Sequence, residues 1–356
     1  MTTAIEFIGS VIPPPGSAPT AALADPDYPV QVAGLVDEAG FDKLVIGYDP
    51  HAADGLIVAN GILTTTSRLG VVVPVVPGLV APTVAARQLA TLAAFHPGRV
   101  AVQIIIDADP TAVTIDSTTA RPGTSTRRAA EFLQVVELAW AARQPFDYAG
   151  EFYQVTGAAS AIQPGSGRLP VYLWMRGADA FRVGAANADF CIFSFASVPV
   201  IAGRVAEARA AAARHGRSPR FGVSVRLLAA PTERAARDRL EAARPAIDHR
   251  QGQRAQPRWF PPAPMEAGPA SEPSTIAGSY DQIAEVLLGY IGAGVSSLVI
   301  EHDPHAEAAD CAAVIERVRA TVQARRGLPS GAARRQGLAS ACRPSAAACP
   351  QPGSRA

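Results

Sequence analysis

Apolar positions along the chain switch between two periods in a regular order. From Pro82 to Phe95, Val84, Leu89, Leu92 and Phe95 recur at helical spacing with alanine between them. His96-Pro97-Gly98 ends that helix, because proline cannot continue it and glycine can take the turn. Arg99 to Ile106 then runs almost without polar interruption and is rich in valine and isoleucine. Such a run predicts a strand buried on both faces, as in a parallel sheet. Beyond it stand Asp107 and Asp109. Acidic residues just past the C-terminal end of a buried strand lie where α/β barrels carry their chemistry.

The same alternation extends in both directions. Ile5–Ile12 and Lys43–Tyr48 read as strands with a helix at Val30–Ala39 between them. A helix at Leu56–Thr66 leads to a strand at Leu69–Val76, which contains Pro74, an awkward residue for a central strand. After the opening stretch come a helix at Arg127–Arg143 and a hairpin within 145–158. Strands follow at Val171–Met175, Phe190–Phe195, Phe221–Leu228 and Leu298–His302. Helices are expected near 177–187 and 199–214, at Tyr280–Gly292 and at His305–Arg325. Eight strands, most of them followed by helices, predict an α/β protein of the (β/α)8 barrel (TIM barrel) type. No GxGxxG follows the first strand, which weighs against an open dinucleotide-binding sheet.

Two segments stand outside this pattern. His249–Thr275 is polar and proline-rich with a Trp-Phe pair, and reads as a long loop before the last strand–helix unit. Residues 326–356 are Gly, Ser, Ala, Pro and Arg with little to bury, and read as a disordered tail after a barrel of residues 1–325. Composition narrows the function classes. Hydrophobic residues are 48% of the 356, enough for a large core, and the net charge is +1 with no basic run before the tail, which argues against nucleic acid as the main partner. There is no signal-peptide pattern and no membrane-length apolar stretch. Cys191, Cys311, Cys342 and Cys349 form no CxxC pair, which fits a cytoplasmic chain with reduced thiols and no structural metal.

The stretch from Pro82 to Pro110, with Pro97-Gly98-Arg99 and Asp109-Pro110, resembles a helix and strand of the bacterial-luciferase-like flavin monooxygenases, closest to their alkanesulfonate branch. The segments Ala130-Glu131-Phe132-Leu133 with Trp140 and Pro145–Tyr153, and Ile276–Ile300 followed by Asp303-Pro304-His305, resemble the same family in the same order. The resemblance covers about residues 4–323. It implies an enzyme that binds reduced FMN, supplied by a separate flavin reductase, at the C-terminal mouth of the barrel. With O2 it would oxidise a small organic substrate, anionic or sulfonate-like in the nearest branch. It also implies a homodimer or homotetramer. The alternatives are a barrel that has lost flavin and acts as a binding partner, and an enzyme using the deazaflavin F420.

Carried over position by position, the resemblance implies a set of candidates. After the second strand, of a Cys-Glu-Asp motif only Asp54 remains. It stands either as a flavin contact or as a helix cap, and His51 beside it is a catalytic candidate or a solvated loop residue. Ile106 takes the place of a threonine near the flavin ring, next to Asp107, and Thr126 stands where a tyrosine approaches the phosphate. Arg176, Gly177 and Ala178 replace a Gly-Gly-Ser-Ser segment and are the best phosphate candidates, since arginine offers paired donors and glycine admits close approach. Arg226 sits in the apolar run VSVRLLAA, where an inward cation needs either a bound anion or a carboxylate, with Asp107 or Glu301 as the structural partner. His305 completes the catalytic candidates, because Asp303 replaces the branch's tyrosine and the branch's Cys and His are also absent.

Overall fold

A computed structural model describes residues 4–10, 25, 27–106, 124–252 and 275–325, the side chains of 243–252 excepted. The first strand, β1 (Glu6–Ser10), is followed by α1 (Asp27–Glu38), β2 (Lys43–Val45), α2 (Gly55–Thr65), β3 (Gly70–Val75), α3 (Pro82–Phe95) and β4 (Val100–Ile104). Next come α4 (Ser125–Ala141), a hairpin of β5 (Phe146–Ala149) and β6 (Gln154–Ala158), β7 (Val171–Trp174), α5 (Gly177–Asn187), β8 (Phe190–Ser194) and α6 (Val198–Ala213). The chain continues through β9 (Arg220–Ala230), α7 (Glu233–Gly252), β10 (Thr275–Ser279), α8 (Tyr280–Gly292), β11 (Val295–Glu301) and α9 (Pro304–Arg325).

The main ladder runs β10-β9-β11-β1-β2-β3-β4-β7-β8, and β8 also pairs with β9. That last pairing closes β1, β2, β3, β4, β7, β8, β9 and β11 into an eight-stranded parallel barrel, as the sequence pattern predicts. β10 is an additional strand. It pairs with β9 only from Arg226 to Ala230, beyond the residues by which β9 meets β8.

The interior of the barrel is identified by its packing. Ile8, Val45, Val72, Ala101, Tyr172, Trp174, Phe190, Ile192 and Val299 form one cluster, drawn from strands all around the ring. A second, larger cluster fills the space between barrel and helices, with Phe7, Leu44, Val71, Val73, Val102, Ile104 and Leu173 among its members. Side chains alternate along a strand. Residues two positions from a member of the first cluster therefore point inward as well, and these are polar at both ends of the barrel.

Pro74 sits within β3 at no cost to the ladder. Even-numbered residues of β3 bond toward β2: the Gly70 N–H donates to Asp42, and the Val72 carbonyl accepts from Ile46. Pro74 faces the same side, past the last β2–β3 register pair, Val45 and Val72, so the N–H that proline lacks falls beyond the ladder.

Three sequence expectations change. α7 extends to Gly252 and β10 begins at Thr275, so the 249–275 segment is helical at its start and enters a strand at its end, while 253–274 lies outside the described residues. Phe95 is 73% exposed rather than on the buried face of α3, which is built from Ala85, Ala86, Leu89, Ala90, Leu92 and Ala93. α3 ends as expected, with Gly98 at φ 76°. Arg226 pairs with Glu307, a carboxylate the sequence reading did not name, as described below. The expected tail, 326–356, lies outside the described residues.

Candidate functional site

At the N-terminal floor of the barrel every inward polar group has a protein partner. Glu6 Oε2 accepts from the Tyr172 hydroxyl at 2.7 Å and the Ser297 hydroxyl at 3.1 Å, and Glu6 pairs with Lys43. Burial and the adjacent Glu6 push the Tyr172 phenol well above its ordinary value. Tyr172 stacks on Phe190 at 4.1 Å, and the Arg220 guanidinium covers the other ring at 4.6 Å from its centroid.

The C-terminal end is different. By the same alternation Ser10, Ser194 and Glu301 face inward at the last positions of β1, β8 and β11, Gln103 one residue before the end of β4, and Ser224 within β9 level with Ser194. Ser224 donates to Glu301 at 3.0 Å. The Ser10 hydroxyl is fully buried and has no hydrogen-bond partner among the described residues. Sequence reasoning passed over Ser10, Gln103 and Ser194. The signal was present: along EFIGS and FCIFS the inward positions read Glu-Ile-Ser and Phe-Ile-Ser, each polar at its outlet.

Two helices begin side by side at this face. α4 starts at Ser125, with Thr126 half-buried in its first turn, and α5 starts at Gly177. Arg176 is the N-cap of α5, half-buried, and leads directly from the inward Trp174. Gly177 has φ 72°, is exposed, and among the described residues has no heavy atom within 4 Å of the place a Cβ would occupy. A cation, free amide N–H groups and a bare backbone thus meet at a helix N-terminus, the arrangement that favours an anion. Ala178 is exposed in the same turn. Arg127 turns away to pair with Glu151 in the hairpin.

Arg226 is neutralised within the protein. Its Nη2 lies 3.1 Å and 3.3 Å from the two carboxylate oxygens of Glu307, with the side chains only 15% and 14% exposed. Asp107 lies outside the described residues, and Glu301 is engaged by Ser224. Glu307 is held one turn into α9 by the Asp303 N–H, which donates to its Oε2 at 2.7 Å. Burial raises the Glu307 carboxyl above its ordinary value, and the Arg226 charge opposes that rise. Asp303 is the turn residue that starts α9, accepting from the His305 and Ala306 N–H groups.

His305 is exposed, with its ring 5.8 Å from Tyr28. His302 points outward, stacked on Phe41 at 5.0 Å with Nδ1 3.2 Å from the Ile300 carbonyl oxygen, and burial pushes its pKa down to about 4. Ile106 is buried in the outer cluster, so Ile105 rather than Ile106 has inward parity. His51 is exposed, and its N–H donates to Asp49 at 2.8 Å.

Asp54 caps α2, accepting from the Leu56 and Ile57 N–H groups at 3.0 Å each. It also lines a cavity of about 670 Å³ on the C-terminal side, between the 47–54 loop, the end of β3 and the first turns of α2 and α3. Val73, Val75, Val76, Leu79, Val80 and Leu89 form one side of its wall. Among the described residues no group of side chains could hold a metal ion, and no helix is long and apolar enough to cross a membrane.

A closed parallel barrel with its unsatisfied polar groups and its cavity at the C-terminal ends of the strands defines the class of barrel enzymes. The luciferase-like monooxygenase family profile matches residues 5–297, and the chain belongs to that family of oxidoreductases. Several solved structures share the fold. The EDTA monooxygenase of Chelativorans sp. BNC1 is 18% identical with a TM-score of 0.73, covering 92% of this chain and 98% of its own. A long-chain alkane monooxygenase is 15% identical with a TM-score of 0.71, covering 93% of each chain. An F420-dependent secondary alcohol dehydrogenase is 14% identical with a TM-score of 0.69, covering 89% of this chain and 99% of its own.

Proposed function

We propose that this chain is a two-component monooxygenase: it takes reduced FMN from a separate reductase and uses O2 to oxidise a small organic molecule. The observation that carries this reading is the contrast within one barrel. Among the described residues, polar groups are paired at the floor, whereas at the outlet the buried Ser10 hydroxyl has inward parity and no partner, on the same face as the open turn at Gly177. A polar ring system with an anionic tail fits those two features. Arg176 with the Gly177 and Ala178 amides would hold the phosphate, and Thr126 stands at the neighbouring helix start. Ser10 and Gln103 would face the ring. Bound flavin would supply the electrons that activate O2, and the chain's apolar wall would exclude water from that reaction.

The F420-dependent neighbour supports one alternative, the deazaflavin as cofactor, and with it hydride transfer in place of oxygenation. Anaerobic titration of the protein with FMN, reduced FMN and F420, followed by fluorescence, separates the readings. Tightest binding by reduced FMN, weakened about tenfold in Arg176→Ala, supports the monooxygenase, as a lost charge-assisted contact of about 1.5–3 kcal/mol would do at least that. Preference for F420 favours hydride transfer, and no binding of any of the three leaves a barrel that works by binding alone. A homodimer or homotetramer is part of the proposal: Ile57 on α2 is 71% exposed and Phe95 on α3 73%. Sedimentation of wild type against Ile57→Asp/Phe95→Asp tests it.

A further inference from the structure

Every described side chain lining the 670 Å³ cavity is either uncharged or a carboxylate. The lining is valine, leucine, isoleucine, alanine, proline and glycine, with Tyr48 and Gln88 as neutral polar groups, and its only described charges are Asp49 and Asp54. Both carboxylates are fixed in place. Asp49 Oδ1 accepts from the His51 N–H at 2.8 Å, and Asp54 Oδ1 accepts from two amides at 3.0 Å each. In each case the bonds fall on Oδ1, so Oδ2 has no protein partner among the described residues. The two arginines that the sequence offered for an anionic substrate are elsewhere: Arg226 is neutralised by Glu307, and Arg176 stands at the start of α5; neither lines the cavity.

We infer that the cavity holds an apolar organic molecule with no anionic group, neutral or amine-bearing, and discriminates against sulfonates and carboxylates. Resting on the oxidoreductase reading above, this makes the cavity the substrate's place. The volume falls in the range of small-molecule sites, and burial of a ligand's apolar part against the valine and leucine side chains supplies part of the affinity. The two fixed carboxylates set the sign of the selectivity. An anionic head group would lose its hydration shell against like charge, whereas an ammonium would gain attraction.

The test is calorimetric binding of 1-hexanol, hexylamine and hexane-1-sulfonate to the full chain at low salt, with and without FMN. Hexanol and hexylamine are expected to bind, and the sulfonate to bind on the order of tenfold more weakly or worse. Raising the salt should erode the amine's advantage and leave hexanol unchanged. Asp49→Asn/Asp54→Asn keeps the oxygen acceptors and the helix cap, and should close the gap between sulfonate and hexanol. Val80→Trp, which fills the cavity, should abolish binding of hexanol while the thermal transition persists. Sulfonate binding as tightly as hexanol would overturn the inference, as would failure of all three ligands in both conditions. Competition between FMN and hexanol would also overturn it, because the cavity would then be the cofactor's own. Hexanol binding by a chain that binds no flavin would sink the monooxygenase reading and leave the cavity's selectivity standing.

Discussion

The floor and the outlet of this barrel are built from the same alternating strands, yet they treat polar groups in opposite ways. At the floor Glu6, Lys43, Tyr172 and Ser297 satisfy one another in a nearly dry interior. At the outlet Ser224 and Glu301 are paired, but among the described residues Ser10 has no partner and nothing covers the helix start at Gly177. A paired buried network stabilises and fixes packing; an unpaired buried hydroxyl costs stability unless something else meets it. The division of labour between the two ends is therefore visible in hydrogen-bond completeness alone.

The comparison can be broken most forcefully at the floor. Glu6→Ala leaves Lys43 without its carboxylate and two hydroxyls without their acceptor, so urea denaturation should show a loss of about 3–5 kcal/mol with flavin and hexanol binding per folded molecule unchanged. A loss within experimental error would mean the floor network is not structural. Next is the ion pair near the outlet. Arg226→Ala should cost about 3 kcal/mol near neutral pH, because Glu307 is left buried and charged. The sign of its pH dependence is fixed: a carboxyl raised in the folded state destabilises as pH climbs above its ordinary value of 4.5. The variant should therefore recover stability as pH falls toward 5, and an equal deficit at pH 5 and 8 would show that Glu307 is not buried as described.

His302 gives a smaller, opposite effect. Its folded pKa of about 4 lies below the ordinary 6.5, so its contribution is intact above 6.5 and is lost as pH falls between those values, by at most about 1.4 kcal/mol per unit. His302→Phe, which retains the stack on Phe41, should flatten that part of the stability–pH curve. The smallest stability effect belongs to Ser10. Removing an unpartnered hydroxyl in Ser10→Ala should change stability by less than about 0.5 kcal/mol while weakening flavin binding. A large destabilisation would place Ser10 with the floor residues and erase the contrast.

The barrel was legible in the chain because its strands are apolar runs and its helices mostly carry an apolar stripe. α7 lacked that signal: ERAARDRLEAARPAIDHRQG is charged on most faces and holds a proline, so periodicity had little to report. β10 is a five-residue strand with intermediate burial that follows a proline-rich stretch, and its pairing with β9 is set by tertiary contact. The site was less legible for a similar reason. Glu307 lies 81 residues from Arg226, so no local pattern ties the two, whereas the Asp54 cap lies within three residues of its donors and was read as one of two options. Phe95 shows that helical spacing alone does not fix which face is buried when alanines can pack just as closely.

The place where β2 stops has a consequence for how this enzyme can change. Ile46 makes the last bond between β2 and β3, and Pro74 offers no N–H to continue the seam. The 47–54 loop therefore lines the cavity without holding the wall of the barrel together. Exchanging it for a segment of another length or charge should retune what enters while leaving the cylinder zipped, so laboratory evolution toward new ligands has its safest starting ground between Gly47 and Asp54.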